Sequence, residues 1–199
     1  NGTIDSALKE LDETIATRQR FESEKQLKIS RLKEGLSKAE NSLVKAEYYS
    51  ALFDQYKNYQ YDSAFVYAKL LESFASGPNA TPAYRAKAQI ALLHCFKSVG
   101  FFNEAVDVIR EFDPESVPAP LCAEFYFLCA ETWQNLSSYV SGTEVLSSRY
   151  DELRLSCYEK VLGYADKASY LYGYANLEIN LIETCSDTLA ISGRENFIL

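Results

Sequence analysis

The chain has 199 residues, 47% of them apolar and 14% aromatic, which is enough to bury a core and excludes a disordered chain. Its net charge of −8 is uneven, because residues 1–46 hold nine Lys/Arg and eight Asp/Glu whereas the other 153 residues hold eleven and twenty. An acidic surface repels phosphate and anionic lipid, so we expect no nucleic-acid partner. No run approaches the roughly eighteen apolar residues of a membrane span, so we expect no direct membrane insertion by this chain. Because it begins at Asn1 and contains no Met, we expect a piece of a longer protein.

Residues 1–40 predict one long amphipathic helix. Apolar residues follow heptad spacing at Ile4, Leu8, Leu11, Ile15, Ile29, Leu32, Leu36, Ala39, Leu43 and Ala46. Charged Arg18, Glu22 and Lys25 interrupt this stripe, which requires a partner helix. We expect the helix to run from about residue 4 to 33 and to weaken at Gly35. It can dock on the rest of the chain or pair with a second copy as a coiled coil.

Residues 41–199 predict a domain of helix pairs. A short motif occurs twice, 41 residues apart: Tyr59, Tyr61, Asp62 and Ala64, then Gly100, Phe102, Asn103 and Ala105. In each copy the polar residue is expected to cap the second helix of a pair, and the alanine allows the two helix backbones to approach closely. The motif therefore predicts stacked antiparallel helices.

The expected helix bounds follow from apolar periodicity and from Pro and Gly. We predict helices over about 42–59, 62–75, 83–99, 103–112, 120–136 and 168–184, and one that resumes near Tyr150. Residues 137–148 are interpreted as a polar insertion that displaces the second helix of the third pair. The tail from Ser186 is left unassigned.

These patterns resemble the tetratricopeptide repeat over roughly residues 42–165. Gly100, Phe102 and Ala105 fit its small, aromatic and alanine positions, and Pro118 falls near the end of the unit. Tyr59 replaces the glycine in the first unit, and the third departs through its insertion. The resemblance implies an all-α, tetratricopeptide-like helical repeat array, a right-handed superhelix of antiparallel helix pairs, preceded by the long N-terminal helix.

A second, narrower resemblance begins at the N-terminus. Its residues are Leu8, Leu11, Asp12, Ile15, Arg18, Phe21, Lys25, Ile29, Leu32, Lys33, Tyr56, Lys57, Tyr61, Asp62, Ser63 and Ala64. Together they look like the opening of a family of Bacteroidetes membrane regulators, in which a repeat region outside the inner membrane precedes a membrane span and a cytoplasmic part. The resemblance implies that this chain is a periplasmic or cell-envelope repeat portion.

No pattern for catalysis, a cofactor or a metal is present. His94 and Cys95 are neighbours on a helix and point about 100° apart, so they do not form a nucleophile pair. The five cysteines, Cys95, Cys122, Cys129, Cys157 and Cys185, have no metal-ligand spacing. We expect buried, reduced thiols that pack as small hydrophobes, with a long-range disulfide or a redox thiol as the alternatives. The chain is therefore not expected to be an enzyme.

The tetratricopeptide resemblance implies which residues face a ligand, because first helices line the concave surface of that family. The corresponding positions are Tyr49, Phe53, Lys57, His94, Lys97, Glu131 and Gln134. We expect a non-catalytic scaffold that binds a protein or peptide, as the extracytoplasmic sensing or docking part of a larger membrane regulator. The alternatives are a structural dimerisation module that forms a homodimer through the N-terminal heptad helix, or a glycan-binding repeat protein.

Overall fold

The computed structural model describes the backbone of residues 2–195 and the side chains of residues 17–182, together with those of Ser6, Lys9, Thr14 and Thr184. Within this range the chain forms eight helices and no strand, which confirms the all-α prediction. The helices are α1 (Gly2–Lys38), α2 (Ser42–Tyr56), α3 (Tyr61–Ala75), α4 (Pro82–Val99), α5 (Phe102–Glu111), α6 (Ala119–Tyr139), α7 (Glu144–Tyr164) and α8 (Tyr170–Glu195). The predicted stripe positions Ile4, Leu8, Leu11 and Ile15 lie outside the described side chains.

The predicted end of the first helix and the predicted insertion at residues 137–148 are wrong. Helix α1 does not weaken at Gly35 but continues to Lys38. Residues 137–148 are not an insertion, because α6 extends to Tyr139 and α7 already begins at Glu144. The serines that suggested a loop satisfy their hydroxyls inside the hairpin: Ser147 donates to the carbonyl of Glu144, and Ser137 donates to that of Ser147. The second helix of the third pair therefore follows its partner directly.

Capping residues, proline and glycine explain several of the other helix bounds, although α8 continues to Glu195, beyond its predicted end near residue 184. Asn41 caps α2 by accepting a 2.7 Å hydrogen bond from the backbone N–H of Leu43. Pro82 opens α4, and Gly100, with φ of 77°, ends it in the left-handed conformation that favours glycine. The expected capping role of Asp62 and Asn103 is wrong, since both lie inside the first turn of their helices.

The described chain divides into two compact units, with the boundary between Leu70 and Leu71. In the first unit α1 packs on α2, with Ile29, Ala46 and Leu52 at most 2% exposed. Two of the three charged residues that interrupt the heptad stripe contact Tyr59: the Lys25 ammonium lies 4.4 Å from its ring centroid, and the Tyr59 hydroxyl donates to Glu22. The charged positions of α1 therefore help it to pack within its own chain. The predicted division into a helix of residues 1–40 and a repeat domain of residues 41–199 stays a prediction.

The second unit is organised around α6, which contacts α4, α5, α7 and α8. Its core side chains include Leu93, Ala105, Phe125, Cys129, Trp133, Tyr158, Val161 and Ala175. Ala105 is fully buried, as the repeated motif predicts. The rings of Phe112 and Phe125 stack with centroids 3.6 Å apart, which fixes the end of α5 against α6. The centre of this unit is thus aromatic and tightly packed.

Replacing Gly35 with Ala should lower the free energy of unfolding by about 1–2 kcal/mol, because an added Cβ would lie 2.5–2.6 Å from ring carbons of Tyr48. The same change at Gly173, where a Cβ meets nothing within 4 Å, should stabilise by about 0.5–1 kcal/mol. Urea unfolding of both variants measures the difference. In a Tyr48→Ala background the Gly35→Ala change should cease to cost stability; a cost that persists there would show that Tyr48 is not the cause.

Candidate functional site

Two of the groove residues predicted on α4 and α6, Lys97 and Glu131, contact each other directly. The ammonium of Lys97 lies 2.6 Å from a carboxylate oxygen of Glu131, and these side chains are only 15% and 33% exposed. His94 and Gln134 lie half-buried on the same two helices. The two opposite charges satisfy each other, so this pair links α4 to α6.

The predicted positions on α2 lie in the first unit. Tyr49 packs against Tyr67 with ring centroids 6.5 Å apart, and the Lys57 ammonium lies 2.8 Å from a carboxylate oxygen of Asp54. Phe53 is 4% exposed, so it contributes to the interior of its unit rather than to the surface. Contact of any of the seven predicted residues with a ligand stays a prediction.

A cavity of about 590 Å³ lies on a different face of α4. Arg85, Gln89, Leu92 and Phe96 follow helical spacing and form one wall. At about 100° per residue, His94 points roughly opposite this wall. The remaining lining residues are Glu72, Ala75, Ser76, Pro82, Ala86, Ala88, Val108, Glu111, Asp113, Glu115, Ser116 and Val117. We refer to this cavity, which lies wholly in the second unit, as the acidic groove.

The charge of the acidic groove is strongly unbalanced. Four carboxylates, from Glu72, Glu111, Asp113 and Glu115, accompany one cation, Arg85. The backbone N–H of Glu115 donates to Asp113 Oδ1 at 2.9 Å, and this hydrogen bond holds the segment after α5 in place. Carboxylates that share one concave surface attract a cationic ligand, and low-dielectric walls strengthen that field.

The floor of the acidic groove is apolar and carries one polar group. Leu92, Phe96, Val108 and Val117 supply the apolar surface. Gln89 is half-buried, and its side-chain amide makes no hydrogen bond to the part of the chain that the structure describes. An amide with a free donor and a free acceptor can pair with one peptide unit of a bound chain. The groove thus offers apolar, hydrogen-bonding and anionic surface together.

A second cavity, of about 680 Å³, lies between α5 and α7 with α6 as its floor. Trp133 and Tyr150 stack there with centroids 5.8 Å apart, and Arg110 and Arg149 stand at its rim. Neither cavity was found from sequence, because each is lined by several helices whose separation the periodicity of single helices does not encode. The only available signal was the acidic composition of residues 111–115.

The four described cysteines, Cys95, Cys122, Cys129 and Cys157, are free thiols, and their burial agrees with the prediction. The side chain of Cys185 lies outside the described residues. Burial raises the pKa of the Cys95 thiol from 9.0 to about 11. Among the described residues, no group of three or more His, Cys, Asp or Glu side chains could hold a metal ion.

Buried thiol and phenol groups predict loss of stability at alkaline pH. Between pH 9 and 11 the unfolded chain releases the Cys95 proton while the folded chain retains it, so the free energy of unfolding falls as pH rises. Burial also raises the pKa of Tyr126, to about 12, which acts in the same direction. Urea unfolding at about pH 8 and about pH 10.5 should show this fall. Cys95→Ala and Tyr126→Phe should each reduce it; a fall of unchanged size in both variants would contradict the assignment.

The fold and the repeated motif define the chain as a tetratricopeptide-like helical repeat protein, a class that generally mediates protein interactions and is generally non-catalytic. A family model described as the SusR N-terminal TPR domain matches residues 15–188, and the chain belongs to this family. No curated protein and no solved structure matches the chain. In the described range, each helix is too short or too polar to cross a membrane.

Proposed function

We propose that this chain is a non-catalytic scaffold that docks a protein or peptide segment in the acidic groove. The observation that carries the proposal is the groove itself: a cavity of about 590 Å³ with an apolar floor and four carboxylates against one arginine. The interaction role of the repeat class supports it. The ion pair of Lys97 with Glu131 favours the acidic groove over the predicted concave positions, because that pair would have to be broken to bind a charged ligand.

The occupant we propose is a segment with an apolar side chain flanked by Lys or Arg. Its apolar side chain covers Leu92 and Phe96, and its cationic groups meet Glu111 and Glu115 at the exposed edge. The amide of Gln89 bonds to its backbone. Binding of this kind weakens as salt is added, because the edge carboxylates are in contact with solvent.

The test uses a fluorescein-labelled peptide of alternating Lys and Leu and a counterpart of Glu and Leu, measured by fluorescence polarisation. The Lys/Leu peptide should bind more tightly, and the double change Glu111→Gln and Glu115→Gln should weaken it about tenfold at low salt. The matched control is Glu152→Gln with Glu159→Gln, which removes two exposed acids of α7 that do not line the groove.

Equal weakening in the groove and control variants would show binding by net charge alone and would overturn the groove assignment. Equal binding of the two peptides would exclude the proposed cationic occupant. Val117→Ser adds an independent check, since it should weaken binding by reducing the apolar floor without changing any charge.

We also propose that this scaffold is the extracytoplasmic part of a membrane regulator. The likeness of the N-terminal helix and of residues 56–64 to that class supports this location. Fractionation of cells that produce the full-length protein should place this region outside the inner membrane, accessible to protease in spheroplasts. Protection from protease until the inner membrane is lysed would contradict it. Homodimerisation through α1 and glycan binding stay predictions.

A further inference from the structure

Two cysteines line the same cavity in the core of the second unit. Cys129 on α6 is fully buried, and Cys157 on α7 is 7% exposed. Both line one cavity of about 220 Å³, which Trp133 and Lys160 also line. Burial, and after it hydrogen bonding with Cys157, raises the pKa of Cys129, whereas hydrogen bonding with Cys129 lowers the pKa of Cys157. Two thiols of different helices therefore share one small cavity, although they are 28 positions apart in the chain.

The surroundings of Cys157 favour its thiolate. Trp133 and Lys160 line the same cavity as Cys157, and Lys160 lies three residues after it, on the next turn of α7. The hydrogen bond from Cys129 lowers the pKa of Cys157 against the opposing effect of burial, and Lys160 and Trp133 lower it further. Burial acts alone on Cys95 and raises its pKa, so Cys157 differs in kind from an inert core thiol.

We propose that Cys129 and Cys157 are a dithiol that hydrogen peroxide oxidises to a disulfide joining α6 to α7. The Cys157 thiolate attacks one peroxide oxygen, the O–O bond breaks, and the departing hydroxide takes a proton to become water. The sulfur of Cys129 then attacks the resulting sulfenic acid, loses its proton, and displaces the second oxygen as water. Two thiols and one hydrogen peroxide thus become one disulfide and two waters.

The cavity allows the reagent to reach the sulfur. Its volume of about 220 Å³ exceeds several times the roughly 30 Å³ that one water occupies, so a peroxide molecule fits. Lys160, at its edge, is exposed to solvent. A disulfide would link α6 and α7 covalently. These two helices form the third pair, and the second unit is organised around α6. The inference does not depend on the proposed peptide binding.

The experiment treats the whole folded chain carrying Cys185→Ser with hydrogen peroxide and maps its peptides with trypsin. Cleavage leaves Cys157 alone in residues 155–160, and leaves Cys122 and Cys129 together in residues 111–149. The expected result is a cross-link between these two peptides, with a mass lower by two hydrogens, that a thiol reductant removes. Adding Cys122→Ala should leave the cross-link intact, and adding Cys129→Ala should abolish it.

Three results would overturn the proposal: no oxidation of either thiol, conversion of Cys157 to sulfinic or sulfonic acid without a cross-link, or a cross-link that survives Cys129→Ala. The peptide map of the Cys185→Ser chain decides the matter even if a further cysteine variant fails to fold. Trp133→Phe tests the positioning role of the indole. It should slow oxidation about tenfold near neutral pH and move the pH profile of the rate upward, whereas a purely structural role would leave that profile in place.

Discussion

Helix backbones in this protein approach one another on alanine side chains, and the remaining architecture depends on that close approach. The alanines that are at most 1% exposed are Ala46, Ala64, Ala68, Ala86, Ala91, Ala105, Ala123, Ala130 and Ala175. A methyl group at the helix contact keeps two axes close, so aromatic side chains must fill the space to either side of the contact. Gly35 represents the extreme case, in which the ring of Tyr48 occupies the place of a missing Cβ.

The acidic groove arises where this close packing stops. Helix α5 has only ten residues, and Pro114 and Pro118 keep the chain after it from continuing as a helix. The wall of α4 from Arg85 to Phe96 therefore borders a cavity instead of a neighbouring helix along its length. The acids at the end of α5 and in the following segment then define the charge of that cavity.

The interior of the second unit contains more polar chemistry than its apolar composition suggests. Thr132 is fully buried and returns its hydroxyl to the carbonyl of Leu128, as a threonine within a helix commonly does. Cys157 is unlike it, since it shares a cavity with Cys129 and Trp133 of α6, and hydrogen bonding with Cys129 lowers its pKa. A buried thiol that shares a cavity with a second thiol, an indole and a lysine is suited to carry charge, which simple packing does not require.

Much of the local structure was predictable from particular residues. Pro82 and Gly100 bound α4, Asn41 caps α2, and Ala105 enters the core at the place that the repeated motif indicates. Signals of this kind act over a few neighbouring residues, so the sequence of a single helix is enough to predict them. The predictions at Gly35 and at the serines near residue 140 were wrong because packing between helices outweighs the weak conformational preferences of these residues.

The sequence by itself determined the helical class, most helix ends, the small residues at helix contacts and the burial of the thiols. Only the tertiary structure decided that Lys97 pairs with Glu131, which face of α4 borders a cavity, and that Cys129 and Cys157 line one cavity. The physical reason is the distance along the chain over which each kind of signal acts. Periodicity and capping act along one helix, whereas the partners of a side chain depend on how separate helices are spaced and rotated against each other.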